Sequence, residues 1–296
     1  MPAKPFLKWA GGKAKILDSV RLHYPGGLGG GISKYVEPFV GGGAVLFDVI
    51  NNYCLSEIYI SDTNCELINA YIAVRDNAAE LVFKLKGLES EYLNADEAER
   101  KRLFYVYRER FNAQKKSGNG SIELAALFIY LNKTCFNGLY RVNSKGEYNV
   151  PQGRYKRPSI CDESNLLAVS KKLKNAYIVC ADYKESASFI DGNTFVYIDP
   201  PYRPLSASSN FTSYTFNGFG EREQVELARF IDEAADKGAY VLSSNSDPKN
   251  IDSGDDFFDE LYKKHSITRI GAGRSINANG GGRGKICELL ISNYEK

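Results

Sequence analysis

Residues that commonly bind metal ions are scarce in this chain of 296 residues. It contains two histidines and six cysteines, and no two cysteines are spaced as C-x-x-C. This scarcity excludes a zinc site of the usual ligand spacing, and we expect no metal cofactor. Several cysteines lie in apolar runs, where a free buried thiol is the expected state.

Long apolar runs are absent as well. No segment is long enough to cross a membrane, and the first eight residues contain no apolar core of a secretion signal. Together with free thiols, these absences predict a protein of the reducing cytoplasm. Hydrophobic residues make up 43% and charged residues 25% of the chain, an ordinary globular mixture that argues against disorder.

The net charge of +2 is too small to indicate nucleic-acid binding by itself. Two stretches are nevertheless strongly basic. Residues 133–157 contain six basic residues and one acidic residue, and residues 263–285 contain six basic residues and no acidic one. Such stretches fit a phosphate-binding face, although two solvated surface segments would have the same composition.

Short segments rich in valine, isoleucine, leucine and tyrosine alternate with helical patterns. Most of these segments end in Asp, Asn, Gly or Pro, and they predict buried strands at residues 35–39, 57–61, 176–180, 195–198, 240–243 and 286–292. One helix is predicted over residues 222–237, with Gly238 as its stop. The alternation predicts a doubly wound α/β sheet with ligands at the carboxyl ends of the strands.

Residues 67–167 interrupt this alternation. Helical patterns dominate the region, at residues 66–75, 78–88, 96–112 and 122–131. A hairpin is predicted next, with strands at residues 140–142 and 147–150 and with Gly146 supplying a positive φ in the turn. We therefore expect a core formed by residues 1–66 and 168–296, and a mainly helical inserted domain at residues 67–167 that carries the hairpin.

Asp199, Pro200, Pro201 and Tyr202 directly follow the predicted strand 195–198 and form the strongest local motif, DPPY. Two prolines cannot continue a ladder of backbone hydrogen bonds, so the chain must turn out of the strand there. A plain strand-ending turn would need neither the acidic residue nor the aromatic ring. The motif therefore predicts a functional site at the end of this strand.

The residue types of this motif suit one reaction. An exocyclic amino group on a nucleobase is a poor nucleophile, because its lone pair is delocalised into the ring. A carboxylate and a backbone carbonyl that accept hydrogen bonds from its two N–H groups localise that lone pair. They also stabilise the charge that grows as nitrogen attacks a methyl sulfonium. Asp199 and the Pro200 carbonyl can do this, and Tyr202 can stack on a base that has left the helix.

Two further motifs lie nearer the start of the chain. In VEPFVGGG a predicted strand enters three consecutive glycines, which suit a close backbone approach to a small ligand. It is not a dinucleotide fingerprint, because Leu46 occupies the third glycine position. Asp62 ends the next strand, where it can accept from ribose hydroxyls. FLKWAGGK contains the only tryptophan, Trp9, and departs from a Walker loop; a lone tryptophan is also a common core anchor.

In this order, FLKWAGGK, VEPFVGGG and DPPY resemble the Dam family of DNA adenine methyltransferases, in its alpha group. The resemblance covers nearly the whole chain and is greatest to the streptococcal branch, whose members modify GATC beside a restriction system. It implies an S-adenosylmethionine-dependent, Rossmann-like methyltransferase core with an inserted target-recognition domain. The methyl donor would be S-adenosylmethionine, and the acceptor would be adenine in double-stranded DNA.

The resemblance also implies roles for individual residues. The residues expected at the donor are Trp9, Lys13, Glu37, Phe39, Gly41, Gly43, Asp62 and Asp199, and those expected to act on the base are Asp199, Pro200 and Tyr202. The expected DNA-contacting residues are Lys8, Phe136, Asn137, Leu139, Arg141, Pro151 and Tyr155, with Arg283 and Lys285 on phosphates. Phe136 stands where enterobacterial members have tyrosine, so stacking is retained there without the hydroxyl.

Two alternatives stay open at this point. An amino-methyltransferase acting on RNA or on a cytosine would need a similar site, although Asp before Pro-Pro-Tyr and the long insert favour adenine in DNA. A non-catalytic DNA-binding protein could also retain a methyltransferase fold, although the intact Asp199 and the glycines argue against it. We expect a monomer in solution, with a cognate restriction endonuclease as a candidate partner.

Overall fold

The computed structural model describes residues 1–203, 219–272 and 286–295. The chain forms two compact units. The first unit comprises Met1–Gly12, Gly41–Asn52 and Ser61–Ala181, and the second comprises Lys13–Val40, Tyr53–Ile60 and Asp182–Lys296. The predicted helical insert at residues 67–167 lies within the first unit, and the domain boundaries expected from the sequence stay a prediction.

Within the part of the chain that the structure describes, seven strands form one mixed sheet. They are β1 (Lys34–Glu37), β2 (Glu57–Asp62), β3 (Tyr177–Cys180), β4 (Thr194–Ile198), β5 (Tyr240–Ser246), β6 (Ser266–Ala272) and β7 (Ile286–Ser292). Their order is β3-β2-β1-β4-β5-β7-β6. Strand β1 pairs in parallel with β2 and β4, and β4 pairs in parallel with β5. Strand β7 is antiparallel to both β5 and β6. The α/β class is confirmed.

Strand β6 was not predicted from the sequence. Among the described strands it lies at the edge of the sheet and pairs with β7, from Ser266 opposite Ser292 to Ala272 opposite Ile286. Its short run contains Thr268, Arg269 and Gly271, so it lacks the continuous apolar character of the central strands. Pairing with β7, rather than local composition, makes this segment a strand.

Eight α-helices accompany the sheet within the described residues. They are α1 (Leu17–Arg21), α2 (Ala44–Asn52), α3 (Cys65–Asn94), α4 (Glu97–Lys115), α5 (Ile122–Thr134), α6 (Glu163–Leu173), α7 (Glu221–Asp236) and α8 (Phe257–Leu261). The two helices predicted before and after residue 77 are one helix, α3, with non-helical backbone angles at Asn77. Among the described helices, none is both long and apolar enough to span a membrane.

Each unit has its own buried interior. In the first unit α3 packs against α5 and α6, and α4 packs against α5. The largest fully buried side chains there include Tyr71, Tyr92, Phe104, Phe111 and Tyr130. In the second unit one face of α7, with Leu227 and Ile231, joins a cluster that contains Val36, Val196 and Val241 from the strands. Strong burial of these strands holds their carboxyl ends in place.

The cysteines only partly follow the expectation of free thiols. Cys135 is free and buried as expected. Cys65, at the start of α3, and Cys180, at the end of β3, form a disulfide across a sequence separation of 115 residues. The sequence does not reveal this pair, because only the packing of α3 beside β3 in the first unit brings the two residues together.

The predicted hairpin is present as a turn with a single antiparallel bridge, and the two strands expected beside the turn are not formed. Val142 and Tyr148 form an antiparallel bridge, and the backbone N–H of Asn143 donates to the backbone carbonyl of Glu147 at 2.9 Å. Gly146 has a φ of +74°, a conformation that glycine adopts without strain. We call residues 140–150 the hairpin below.

Candidate active site

Three glycines at residues 41–43 form a turn in the first unit, just before α2 begins at Ala44. Gly41 has a φ of +46° and Gly43 a φ of +70°. A Cβ on Gly41 would lie 2.8 Å from Cδ1 of Trp9, and a Cβ on Gly43 would lie 2.6 Å from the Tyr71 hydroxyl. Both the backbone conformation and the lack of space therefore require glycine at these two positions. We call these residues the glycine turn.

Asp62 binds the backbone of the glycine turn. The Gly41 amide donates to Oδ2 of Asp62 at 3.1 Å, and the Asn64 amide donates to Oδ1 at 2.9 Å. Burial raises the pKa of the Asp62 carboxyl above its usual value, although these backbone donors act to lower it. The Tyr71 hydroxyl donates to the Gly41 carbonyl at 3.1 Å from the other side. The N–H and the C=O of Gly41 are thus both hydrogen-bonded to side chains.

Trp9 lies against the glycine turn and is only half-buried. Its ring stacks on Tyr140 of the hairpin, with centroids 6.2 Å apart and planes 22° apart, and also contacts Phe128 at 6.5 Å. A partly exposed ring in this position is not a fully buried core anchor. The first unit therefore brings Trp9, Gly41, Gly43 and Asp62 together.

Asp199 directly follows β4 in the second unit, where residues 199–202 form what we call the DPPY turn. The Lys13 ammonium lies 2.6 Å from the Asp199 carboxylate, and the lysine side chain is only 4% exposed. The Ser244 hydroxyl donates to Oδ1 of Asp199 at 3.0 Å. Charge-assisted and hydroxyl hydrogen bonds to one carboxylate fix the direction of its oxygens. Asp199 is thus presented as an oriented acceptor.

Tyr202 closes the DPPY turn and is held at its hydroxyl. This hydroxyl donates to Oε2 of Glu288 at 2.9 Å, and the Lys13 ammonium lies 4.8 Å from the ring centroid. Burial raises the pKa of the Tyr202 hydroxyl, and the charges of Asp199 and Glu288 raise it further. The hydroxyl therefore stays protonated and anchors the ring.

Glu37 and Phe39, which the resemblance places at the donor, also lie in the second unit. Glu37 is 2% exposed and accepts from the Tyr35 hydroxyl at 2.6 Å. Burial and the nearby Glu37 charge raise the pKa of Tyr35. The Phe39 ring stacks on Tyr183 at 5.5 Å. Both residues thus have defined positions at the end of β1.

The predicted DNA-contacting residues of the first unit form two neighbouring groups. The Lys8 ammonium lies 4.1 Å from the centroid of the Tyr155 ring. The Phe136 amide donates to the Pro151 carbonyl at 2.9 Å, and the Leu139 amide donates to the Phe136 carbonyl at 3.2 Å. The sequence scatters these residues over nearly 150 positions, and the fold collects them around the base of the hairpin.

The loop before the hairpin projects an aromatic ring. Phe136 is 51% exposed, which is unusual for so large an apolar side chain. The next residue, Asn137, is the one non-glycine residue with a positive φ among the described residues, at +54°. Asparagine tolerates this conformation better than most residues do. The backbone thus presents Phe136 outward at a sharp bend.

Arg141 is exposed on the hairpin, and its guanidinium is oriented by Asn149. Nε donates to Oδ1 of Asn149 at 2.7 Å. In the second basic stretch, Arg269 pairs with Asp247 at 2.9 Å and with Asp259 at 2.7 Å, so acidic residues partly neutralise it. The predicted phosphate contacts Arg283 and Lys285 lie outside the described residues.

Sequence reasoning missed four side chains at the DPPY turn. Ser244 and Asn245 lie near the end of β5, Gln224 lies in the first turn of α7, and Glu288 lies on β7. All but Glu288 are at most 2% exposed. The run Ser-Ser-Asn-Ser-Asp at residues 243–247 was an available signal, because polar residues at the carboxyl end of a buried strand commonly serve a site.

Comparison with known proteins adds independent observations. A family model described as "D12 class N6 adenine-specific DNA methyltransferase" matches residues 9–276. The type II methyltransferase M.MjaIII of Methanocaldococcus jannaschii is 47% identical over 296 residues, covering 99% of this chain and 100% of the relative. The DNA adenine methylase of Escherichia coli (strain K12) is 37% identical over 287 residues, covering 97% and 94%. The type II methyltransferase M1.LlaDCHI of Lactococcus lactis subsp. cremoris is 36% identical over 294 residues, covering 98% and 95%.

Proposed function

The chain belongs to the D12 class of N6 adenine-specific DNA methyltransferases, and from this premise we propose that it methylates the adenine of GATC in duplex DNA with S-adenosylmethionine as donor. The observation that carries the proposal is the DPPY turn, where the Asp199 carboxylate, paired with Lys13, directly follows a buried strand. Family membership favours adenine and DNA over the RNA and cytosine alternatives.

The residues of the glycine turn fit the donor. Glycines that exclude any Cβ allow a ligand to approach the backbone closely, Asp62 offers carboxylate oxygens to ribose hydroxyls, and the half-buried Trp9 offers an apolar ring. When bound, S-adenosylmethionine would supply an electrophilic methyl group. The other predicted donor contacts, Lys13, Glu37, Phe39 and Asp199, are described in the second unit and stay predictions.

The DPPY turn fits the amino group of the acceptor base. Asp199 and the Pro200 carbonyl accept hydrogen bonds from the two N–H groups of this amino group and so raise the nucleophilicity of its nitrogen. Among the described residues, none donates a hydrogen bond to the carbonyl of the buried Pro200, whereas Ser244 and Lys13 orient the Asp199 carboxylate. As positive charge grows on the nitrogen, the Asp199 carboxylate accepts a hydrogen bond from one of its N–H groups and stabilises this charge.

Tyr202 fits the face of a base rotated out of the duplex. Its hydroxyl is held by Glu288, and the Lys13 ammonium lies 4.8 Å from the ring centroid, so the ring has a fixed position. Stacking on an aromatic side chain repays part of the unstacking energy of such a base. The proposal includes Phe136 and Asn137 as the loop that enters the duplex where the base leaves.

The hairpin fits the recognition of the target sequence. Arg141 is exposed, and Asn149 restricts its guanidinium, so that its remaining N–H donors can address O6 and N7 of one guanine. Lys8, Leu139, Pro151 and Tyr155 complete the proposed DNA contacts, and Arg283 and Lys285 are proposed on phosphates. GATC, and the particular likeness to the streptococcal branch, rest on the sequence resemblance.

The proposal extends to the setting of the enzyme. Two relatives carry the name type II methyltransferase, which supports a cognate restriction endonuclease as a functional partner. We propose a cytoplasmic enzyme that is a monomer in solution and requires no metal ion.

Sequencing of DNA from a methylation-free host that expresses the chain tests this function. We expect 6-methyladenine at GATC sites and none in a host that expresses the Asp199→Ala variant. Methylation at another motif would contradict GATC, and methylcytosine or unmodified DNA would contradict the proposed reaction itself.

A further inference from the structure

Two of the four residues of the DPPY turn have no backbone donor. Pro200 and Pro201 are consecutive, and neither has an N–H group. At these two residues only the carbonyl oxygens can form hydrogen bonds with the rest of the second unit.

Gln224 anchors one of these carbonyls. Its Nε2 donates to the Pro201 carbonyl at 3.1 Å, and its Oε1 accepts from Nδ2 of Asn245 at 3.2 Å. Gln224 is 0% exposed and Asn245 is 2% exposed. Burial of an amide costs free energy unless its polar atoms are hydrogen-bonded, and here both ends of the Gln224 amide are bonded.

Asn245 is itself held in place. Its Oδ1 accepts from the Ser246 amide at 2.9 Å, so its Nδ2 is the end that points to Gln224. The preceding residue, Ser244, donates to Asp199. Adjacent side chains of a strand point to opposite faces of the sheet. Ser244 contacts Asp199, the first residue of the DPPY turn, directly. Asn245, the next residue of β5, acts on the third residue of the turn, Pro201, through Gln224.

The two carbonyls of the turn are thus divided. Gln224 occupies the Pro201 carbonyl, while the carbonyl of the buried Pro200 has no donor among the described residues. Since a buried carbonyl is normally hydrogen-bonded, the Pro200 oxygen is the one left for a ligand donor. If the peptide group that contains the Pro201 carbonyl rotated, the neighbouring Pro200 carbonyl would point in a different direction.

We propose that Gln224, kept in place by Asn245, is a positioning residue that orients the DPPY turn, so that the Pro200 carbonyl and Asp199 meet the amino group together. The role rests on the proposed function. Gln224 touches neither substrate nor donor and acts only through the Pro201 carbonyl. A misplacement of about 1 Å at reacting groups can lower a rate on the order of 100-fold, which sets the scale of the expected effect.

The first test replaces the amide with a side chain of similar size. Gln224→Met removes the donor to Pro201, and we expect its single-turnover methylation rate to fall about 10- to 100-fold at saturating DNA and donor. The dissociation constant for S-adenosylmethionine, measured by calorimetry, should change less than about twofold, because the glycine turn is untouched. Gln224→Asn, which is one methylene too short to reach, is the second variant should Gln224→Met not fold.

A matched control separates positioning from stability. Ile231→Val removes one methyl group from the buried face of the same helix, far from any carbonyl of the turn. Its melting temperature should fall while its single-turnover rate stays at that of the parent protein. If the methylation rates of Ile231→Val and Gln224→Met both fell in proportion to their losses in melting temperature, the positioning role of Gln224 would be overturned.

Gln224→Glu provides a readout that a structural role would not move. An ionised glutamate cannot donate to the Pro201 carbonyl, whereas a protonated one can. The ratio of the Gln224→Glu rate to the parent rate should therefore rise as the pH falls. A ratio independent of pH, or a Gln224→Met rate equal to that of the parent, overturns this role alone. A parent protein that methylates no adenine overturns the proposed function instead.

Discussion

The glycine turn in the first unit and the DPPY turn in the second are held by different physical means. In the glycine turn, positive φ angles and contacts with Trp9 and Tyr71 leave no room for a side chain. Its hydrogen bonds are made by the backbone of Gly41. In the DPPY turn there is no glycine, and two of its residues have no backbone donor.

Side chains supply what the backbone of the DPPY turn lacks. Lys13 and Ser244 hold Asp199, Gln224 holds the Pro201 carbonyl, and Glu288 holds the Tyr202 hydroxyl. The first turn is thus defined by shape, and the second by charge and hydrogen bonding. A turn defined by shape suits the binding of a ligand, and a turn defined by oriented polar groups suits charge that develops during a reaction.

The comparison predicts the largest effect at Asp199. Asp199→Ala should lower the single-turnover rate about 100- to 1000-fold, by analogy with loss of one group that stabilises transition-state charge. Asp199→Asn keeps an acceptor oxygen and should be milder. Quenched-flow methylation assays of both variants provide the measurement. A near-normal rate for Asp199→Ala would remove the distinction between the two turns.

The second-largest effect is expected at the glycine turn, on the affinity for S-adenosylmethionine. Gly43→Ala adds a Cβ 2.6 Å from the Tyr71 hydroxyl in a backbone with a φ of +70°. Strain of about 1–2 kcal/mol, together with the overlap, should weaken binding of S-adenosylmethionine on the order of 10-fold or more. Gly146→Ala is the matched control, because its φ is +74° but nothing lies within 4 Å. Equal donor affinities in the two variants, measured by calorimetry, would contradict a turn defined by shape.

Arg141→Ala should leave both turns intact and change only sequence preference. The loss of a bidentate contact to guanine costs ~1–3 kcal/mol of discrimination, so methylation should spread to near-matches of GATC. Lys145→Ala removes a charge from the same hairpin and should preserve the preference. The measurement is the ratio of methylation rates on duplexes altered one base pair at a time. A preserved ratio in Arg141→Ala would assign the arginine to phosphate contacts.

The smallest effect concerns pH. The buried Asp62 has a raised pKa, so it becomes protonated at a higher pH than an ordinary aspartate does. Since we propose that its ionised form accepts hydrogen bonds from the ribose, donor affinity should decrease as the pH falls, and this decrease should begin at a higher pH than the titration of ordinary aspartates. Asp62→Asn should bind more weakly and without this pH dependence. A pH dependence that persists in Asp62→Asn would assign the titration to another group.

Local chemistry in the sequence determined a large part of this picture. Consecutive prolines after an apolar run forced a turn at the end of β4, and three glycines required a tight turn before α2. Gly146 and Gly238 marked the hairpin turn and the end of α7, and both have a positive φ. These features depend on backbone sterics and on neighbouring residues, so they can be predicted from a short window. The roles of individual site residues stay predictions.

Tertiary structure alone decided which side chains serve the DPPY turn. Ser244 reaches Asp199 over 45 positions, Gln224 reaches Pro201 over 23, and Glu288 reaches Tyr202 over 86. The same holds for the disulfide of Cys65 and Cys180 and for β6, which exists through its pairing with β7. The physical reason is that a hydrogen bond depends on distance and direction in space. A buried glutamine in a sequence has no visible partner until strand order and helix packing bring one within reach.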